Sequence, residues 1–180
     1  LPELAAKAGG IEATGHIEGR ESTFPNGCHV CEVEIDGETG KLDIVAYTVV
    51  DDMGVLINPD LVAGQIHGGV VQGLGQVFGE QMVWDPETGQ PLTGSFMDYQ
   101  FPRAGDVPSF RLSFEEVPCK TNPVGVKGCG EAGSVGGIPA GALAVQDALW
   151  RAGVREAVET PYTPVRLWEA LSRTRDVSAA

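Results

Sequence analysis

The segment from Asn58 to about Gln81 sets the strongest condition on any fold for this chain. Asn58-Pro59-Asp60 starts a helix by three agreeing means: an amide N-cap, proline at the first helical position and an acid in the first turn. Yet that helix carries Gly64, Gly68, Gly69, Gly73, Gly75 and Gly79, and each glycine costs ~1 kcal/mol against alanine in an exposed helix interior. It persists only where packing offsets the loss. The pairs 64/68, 69/73 and 75/79 are four apart, so small residues line helix faces and let another backbone or a flat ligand approach. Gln65, near the helix start, is a candidate to hydrogen-bond a ligand, because an amide facing a cleft needs its donors and acceptors met. His67 reads as a satisfied, partly buried imidazole.

A second glycine-rich stretch, Pro123 to Pro139, holds a single carboxylate, Glu131, among Gly125, Gly128, Gly130, Gly133, Gly136 and Gly137. Without side chains in the way, backbone N–H groups of such a loop can approach a ligand closely. The apolar run that follows predicts a helix over 138–151, with Pro139 in its first turn and its free N–H donors at the end of the loop. Gly128-Cys-Gly-Glu-Ala-Gly133 also matches G-x-G-x-x-G literally. A dinucleotide fold needs an uninterrupted strand before that motif and an acid at the end of the next strand; here Pro123 breaks the lead-in and Asp147 falls inside the helix.

The chain has 180 residues, enough for one domain with a real core. Its formal charge of −13 repels nucleic acid and anionic membranes. Leu61 to Trp84, the longest apolar-looking window, includes Gln65, His67, Gln72, Gln76 and Glu80, which excludes a membrane span there. Cys28-His-Val-Cys31 lies in a strand-like run in which Val30, Cys31, Val33 and Ile35 alternate with His29, Glu32 and Glu34. Thiols three apart on a strand face opposite sides, so they cannot share a metal. No metal ligands are assigned, and free thiols in a cytoplasmic protein are expected.

In chain order the pattern predicts the end of a helix over 1–7, a short strand within 11–18, a hairpin of strands 27–36 and 41–51 about Gly37-Glu-Thr-Gly40, and the glycine-rich helix. A long irregular connection over 83–108, a strand over 109–117, the helix after the glycine loop and a last helix over 164–171 follow. The order β-β-α-β-α predicts an α+β fold: two layers, a mostly antiparallel sheet with helices packed on one face. The second strand is apolar enough to be central. The single domain, 1–180, would have its core at about 27–152, with 153–180 as a C-terminal helix and tail. A start in mid-element suggests the C-terminal piece of a longer protein.

Taken together, Val50-Asp-Asp-Met-Gly-Val-Leu-Ile-Asn-Pro59, Gly64-Gln-Ile-His-Gly-Gly-Val-Val-Gln-Gly73, Ser95-Phe-Met-Asp-Tyr99 and Gly125-Val-Lys-Gly-Cys-Gly-Glu-Ala-Gly133 resemble the molybdenum-binding large subunits of xanthine dehydrogenase, aldehyde oxidase and aerobic carbon monoxide dehydrogenase. The histidine after Gly-Gln-Ile and the Ser-Phe-Met-Asp-Tyr run resemble the carbon monoxide dehydrogenase-like branch. The resemblance implies a molybdopterin-dependent oxidoreductase that oxidises or hydroxylates a small molecule, an aldehyde, a heterocycle or carbon monoxide, with oxygen from water. Glu131 would be the base beside the metal, and Gln65, Gly128, Cys129 and Gly130 would border the cofactor. It further implies molybdopterin cytosine dinucleotide as cofactor in the full-length protein and none bound by these residues alone. The upstream part of the same subunit, and iron–sulfur and flavin subunits or domains, are the implied partners. The alternative is a non-catalytic binding or assembly module whose glycine-rich surfaces serve only for packing.

Overall fold

Leu42-Asp-Ile-Val-Ala-Tyr-Thr-Val-Val50 is the most apolar strand-like run, and it takes the centre of the sheet. The computed structural model describes residues 2–16 and 21–178. Its elements are α1 (Pro2–Ala8), β1 (Asn26–Ile35), β2 (Leu42–Asp52), α2 (Pro59–Phe78), β3 (Arg111–Phe114), α3 (Ala132–Arg151) and α4 (Pro164–Ser178). The sheet order is β1-β2-β3; β1 and β2 are antiparallel, while β3 lies parallel to β2, so the sheet is mixed. The parallel pair follows from the long connection between α2 and β3, which gives the chain length enough to return in the same direction. Ile11 to His16, expected to begin a strand, has no regular structure, and residues 17 and 18 fall outside those described.

One irregularity in the β1–β2 ladder decides which side chains face inward. The register shifts between Glu32 and Val33, whose partners are Ala46 and Ile44. Val45 is the extra residue. A bulge of this kind reverses the parity of the bulged strand, so Leu42 and Ile44 face in on one side of it and Tyr47, Val49 and Asp51 on the other. The opposite face, with Cys28, Val30, Val45 and Val50, is left exposed. Cys28 and Cys31 do lie on opposite sides, Cys31 against the core. Burial, with Glu32 nearby, pushes the Cys31 thiol up to about 11.

The glycines of α2 divide by face. A Cβ on Gly69 would lie 2.9 Å from the Cα of Gly133, and one on Gly73 would lie 3.0 Å from the nitrogen of Ile138. Reciprocally, a Cβ on Gly133 would stand 2.6 Å from the carbonyl of Ile66, and Gly137 faces the backbone of Val70. The two helices therefore touch backbone to backbone. Gly75 and Gly79 make room for Pro102 and Gln100 of the long connection. Gly64 and Gly68 face nothing within 4 Å. Ile66, Val70, Leu74 and Val77, all buried, offset the propensity loss, since each such side chain is worth ~1.5–3 kcal/mol when fully buried.

This contact also explains why α3 begins at Ala132, ahead of the expected Ile138. Gly133 and Gly137 are packing residues inside a helix, so Pro139 lies in the helix interior. Two clusters complete the core. Tyr47, Val49, Met53, Ile66, Val70 and Leu74 join β2 to α2, covered by Phe110, Leu112 and Phe114. Val77, Val145, Leu149, Tyr162 and Leu167 join the far ends of α2 and α3 to α4. Replacing Gly133 with Ala should cost ~1–3 kcal/mol, because the methyl meets backbone that must shift. Gly64→Ala should instead raise stability by up to ~1 kcal/mol. Chemical denaturation of both variants checks the contrast.

Candidate functional site

The loop before α3 is tied to the end of β2 before it reaches Glu131. Asn122 folds it: its Oδ1 accepts from the N–H of Gly125 (2.7 Å) and Val126 (3.1 Å), and its Nδ2 donates to the Val126 carbonyl. Gly125, at φ 75°, bends the chain so that its carbonyl accepts from the N–H of Val55 and Cys119. The Lys127 N–H donates to the Met53 carbonyl, and the Lys127 ammonium reaches the Asp52 carboxylate. Asp52 also accepts from the N–H of Gly54 (2.8 Å) and Val117 (3.2 Å). That one carboxylate thus joins β2, the segment after β3 and the glycine loop.

Beyond Lys127 the loop opens. Gly128 donates its N–H to Thr23 Oγ1 at 3.2 Å, and neither Gly128 nor Gly130 has an atom within 4 Å of a would-be Cβ. Cys129, between them, is half-buried and packs against the core, which leaves its backbone rather than its thiol toward the outside. Glu131 is the N-cap residue of α3, yet its side chain takes no part in capping and is exposed. The Ser134 hydroxyl donates to its carbonyl. The Glu131 carboxylate is therefore available for an incoming group, at a helix end where N–H donors also face outward.

A cavity of about 440 Å³ lies beside it, bordered by Thr23, Gly27, Gly128, Gly130, Glu131, Val135 and Gly136, with His29 and Asp51 also in its lining. Alternation groups His29 with Glu32 and Glu34, whereas its side chain is only 6% exposed. The signal was parity, because His29 shares the inward face with Cys31, Val33 and Ile35. Its Nδ1 is 2.9 Å from the Tyr47 hydroxyl, and its Nε2 is 3.3 Å from Asp51 Oδ1. Asp52, Lys127 and Asn122 were likewise missed; only the fold brings Asp52 and Lys127 together.

Gln65 is exposed on α2, next to Ile66, whose carbonyl abuts Gly133. The same crossing therefore puts Gln65 and Glu131 at neighbouring turns of touching helices. His67 is exposed rather than partly buried: its Nδ1 lies 2.7 Å from the Ala63 carbonyl, and its ring stacks on Phe110 at 5.4 Å. Gln65, Gly64 and Gly68 are exposed on α2 and are not among the residues lining the cavity beside Glu131, which Gly128 and Gly130 do line. Packing accounts for Gly69, Gly73, Gly133 and Gly137, and it leaves Gly64, Gly68, Gly128 and Gly130 without a reason.

The family model described as the molybdopterin cofactor-binding domain matches residues 1–108. The chain belongs to that family. The carbon monoxide dehydrogenase large chain of Hydrogenophaga pseudoflava is 36% identical over 162 residues, covering 90% of this chain and 20% of the relative. The nicotine 6-hydroxylase large subunit of Paenarthrobacter nicotinovorans is 40% identical over 161 residues, 89% of this chain and 20% of the relative. Among solved structures, the carbon monoxide dehydrogenase of Oligotropha carboxidovorans superposes with a TM-score of 0.79 at 32% identity, over 85% of this chain and 19% of that one. Quinoline 2-oxidoreductase of Pseudomonas putida 86 gives 0.77 at 37% identity, over 82% and 19%. This chain thus spans about a fifth of the length of these relatives. No helix of the described residues is long and apolar enough to cross a membrane.

The Lys127–Asp52 pair is the anchor of the site, with side chains 11% and 8% exposed. Burial raises the Asp52 carboxyl, but the Lys127 ammonium and the N–H groups of Gly54 and Val117 outweigh it and hold the group below the usual carboxylate range. A depressed carboxyl contributes stability above its unfolded pKa of ~3.9, and that contribution is lost as pH falls through the lower folded value. Lys127→Met should destabilise the fold by ~3 kcal/mol, since a buried charge loses its partner. It should also move acid unfolding to higher pH, as circular dichroism during acid titration would report.

Proposed function

We propose that this chain forms one wall of the active site of a molybdenum-cofactor oxidoreductase that oxidises or hydroxylates a small substrate, with Glu131 as its general base. The observation that carries the reading is Glu131 itself, an exposed carboxylate at a helix N-terminus, unused in capping and bordering a cavity, in a molybdopterin-binding chain. When bound, the molybdenum cofactor supplies the two-electron oxidation of the substrate with oxygen from water. Glu131 accepts a proton at its carboxylate during that step, and its side chain, unused in capping α3, can turn toward the donor. Gln65 offers an amide N–H pair and carbonyl to polar atoms of the cofactor. The N–H groups of Cys129 and Gly130, the bare backbone at Gly128 and the open faces of Gly64 and Gly68 let it approach the backbone. Molybdopterin cytosine dinucleotide is the proposed form.

The remaining wall belongs to the upstream part of the same subunit. Phe96 and Met97, 85% and 92% exposed in the long connection after α2, are apolar surface of the kind that docks a partner. Electrons leave through carriers outside this chain: among the described residues the free cysteines 28, 31, 119 and 129 belong to no group that could hold a metal ion, and iron–sulfur and flavin subunits or domains are the proposed acceptors.

In the full-length protein Glu131→Gln should lower kcat by ~10²–10⁴-fold with molybdenum content and fold unchanged. Turnover within tenfold of wild type at equal metal content would sink the assignment. Gln65→Ala should weaken cofactor retention through gel filtration while leaving the unfolding free energy within ~0.5 kcal/mol, as expected of an exposed side chain. A larger loss of stability would make Gln65 a structural amide.

A further inference from the structure

The imidazole of His29 has no part in the chemistry proposed above, yet it lies at the point where β1 meets the first turns of α3. A Cβ on Gly136 would sit 2.5 Å from ring atoms Cε1 and Nδ1 and 2.6 Å from Cδ2, so the ring lies flat against helix backbone. The absence of a side chain at 136 is what allows α3 to rest there. Gly136 is little more than one turn beyond Glu131.

The ring is held on both edges. The β1–β2 register pairs His29 with Val49, which puts Tyr47 and Asp51 at the diagonal positions of the same face. Tyr47 is 1% exposed, and burial, with Cys31 and Asp51 nearby, raises its phenol well above the usual value, so it keeps its proton. The Tyr47 hydroxyl meets Nδ1 on one edge of the ring, and Nε2 is directed at Asp51 Oδ1 on the other. Tyr47 is in turn braced by Phe110, 5.1 Å away between ring centroids, and Phe110 stacks on His67 of α2. Asp51 reaches its place only because residue 27 is glycine: a Cβ there would overlap the Asp51 carboxylate. Asp51 Oδ2 is buried without a hydrogen-bond partner. Holding a carboxylate so costs stability, and a cluster kept at that cost suits a role in placing the ring.

We propose that His29 is a positioning residue for Glu131: locked between Tyr47 and Asp51, its ring is the abutment on which α3 rests at Gly136, and it sets the height of the Glu131 carboxylate in the cavity that both residues line. The proposal rests on Glu131 being the base. It differs from a general packing role, because the ring bears on the helix turn that carries the carboxylate.

The test is a double-mutant cycle in the full-length protein, read in two ways. His29→Ala should leave molybdenum content intact and lower kcat by about 10²-fold with KM little changed, the scale of loss expected when a reacting group is misplaced by ~1 Å. Hydrogen exchange at the amides of residues 132–137 should quicken, while that of β2 does not. Gly136→Ala removes no side chain of the cluster but pushes the ring away from the helix, so it should reproduce both effects; it carries the test if His29→Ala does not fold. The double variant should be no worse than His29→Ala alone, since the added methyl enters space the imidazole has left. Additive losses, or wild-type exchange over 132–137 in either single variant, would overturn the proposal. The exchange measurement does not involve catalysis, so altered exchange beside full activity of Glu131→Gln would remove the base assignment and leave the abutment standing.

Discussion

The contact of α2 with α3 through Gly69, Gly73, Gly133 and Gly137 is the interaction on which the rest of the structure depends. Two helices that meet backbone to backbone have little freedom to slide or rotate, because any shift drives a carbonyl or an amide into the facing chain. The crossing stands just after Glu131 on one helix and just after Gln65 on the other. The same close approach that makes a glycine-rich helix stable thus brings the two polar residues of the candidate site to adjoining turns. Stability and site geometry have a single cause here.

Asp51 and Asp52 show how neighbouring residues of one strand come to opposite electrostatic situations. Successive side chains point to opposite faces. Asp52 finds the Lys127 ammonium of the glycine loop and two backbone donors, from Gly54 just beyond β2 and Val117 after β3. Asp51 turns inward beneath Gly27, reaches His29 with one oxygen and leaves the other unsatisfied. The first carboxylate fastens the loop to the sheet. The second belongs to the cluster under α3, and the two together hold the loop and the helix that follow from it on either side of Glu131.

Much of the fold was legible in local sequence. Asn58 caps α2 as its residue type demands, its side chain accepting from the Leu61 N–H at 3.1 Å. The apolar run at 42–50 is central, the two strands of the hairpin pair as expected, and the cysteines of Cys28-His-Val-Cys31 face apart. Glu131 stood out as the one carboxylate in a glycine-rich stretch. These features are fixed by dihedral preference, capping chemistry and periodicity over a few residues, which a sequence carries directly.

Other features were decided by tertiary structure alone. Whether Gly133 and Gly137 belong to a loop or a helix depends on what faces them, and it was the backbone of Ile66 and Val70 that made them helical and moved the start of α3 to Ala132. His29 faces inward by the parity it shares with Cys31, Val33 and Ile35, but only the ladder, which admits Val45 as an extra residue in β2, brings Tyr47 and Asp51 to its two sides. The parallel placement of β3 rests on a long connection whose path no local signal describes. Lys127 and Asp52 are far apart in sequence and meet only when loop and strand are both in place. Sequence determined which segments were strands or helices and which carboxylate to watch; contact between backbones distant along the chain decided where that carboxylate stands, because a glycine's role is set by its neighbour in space.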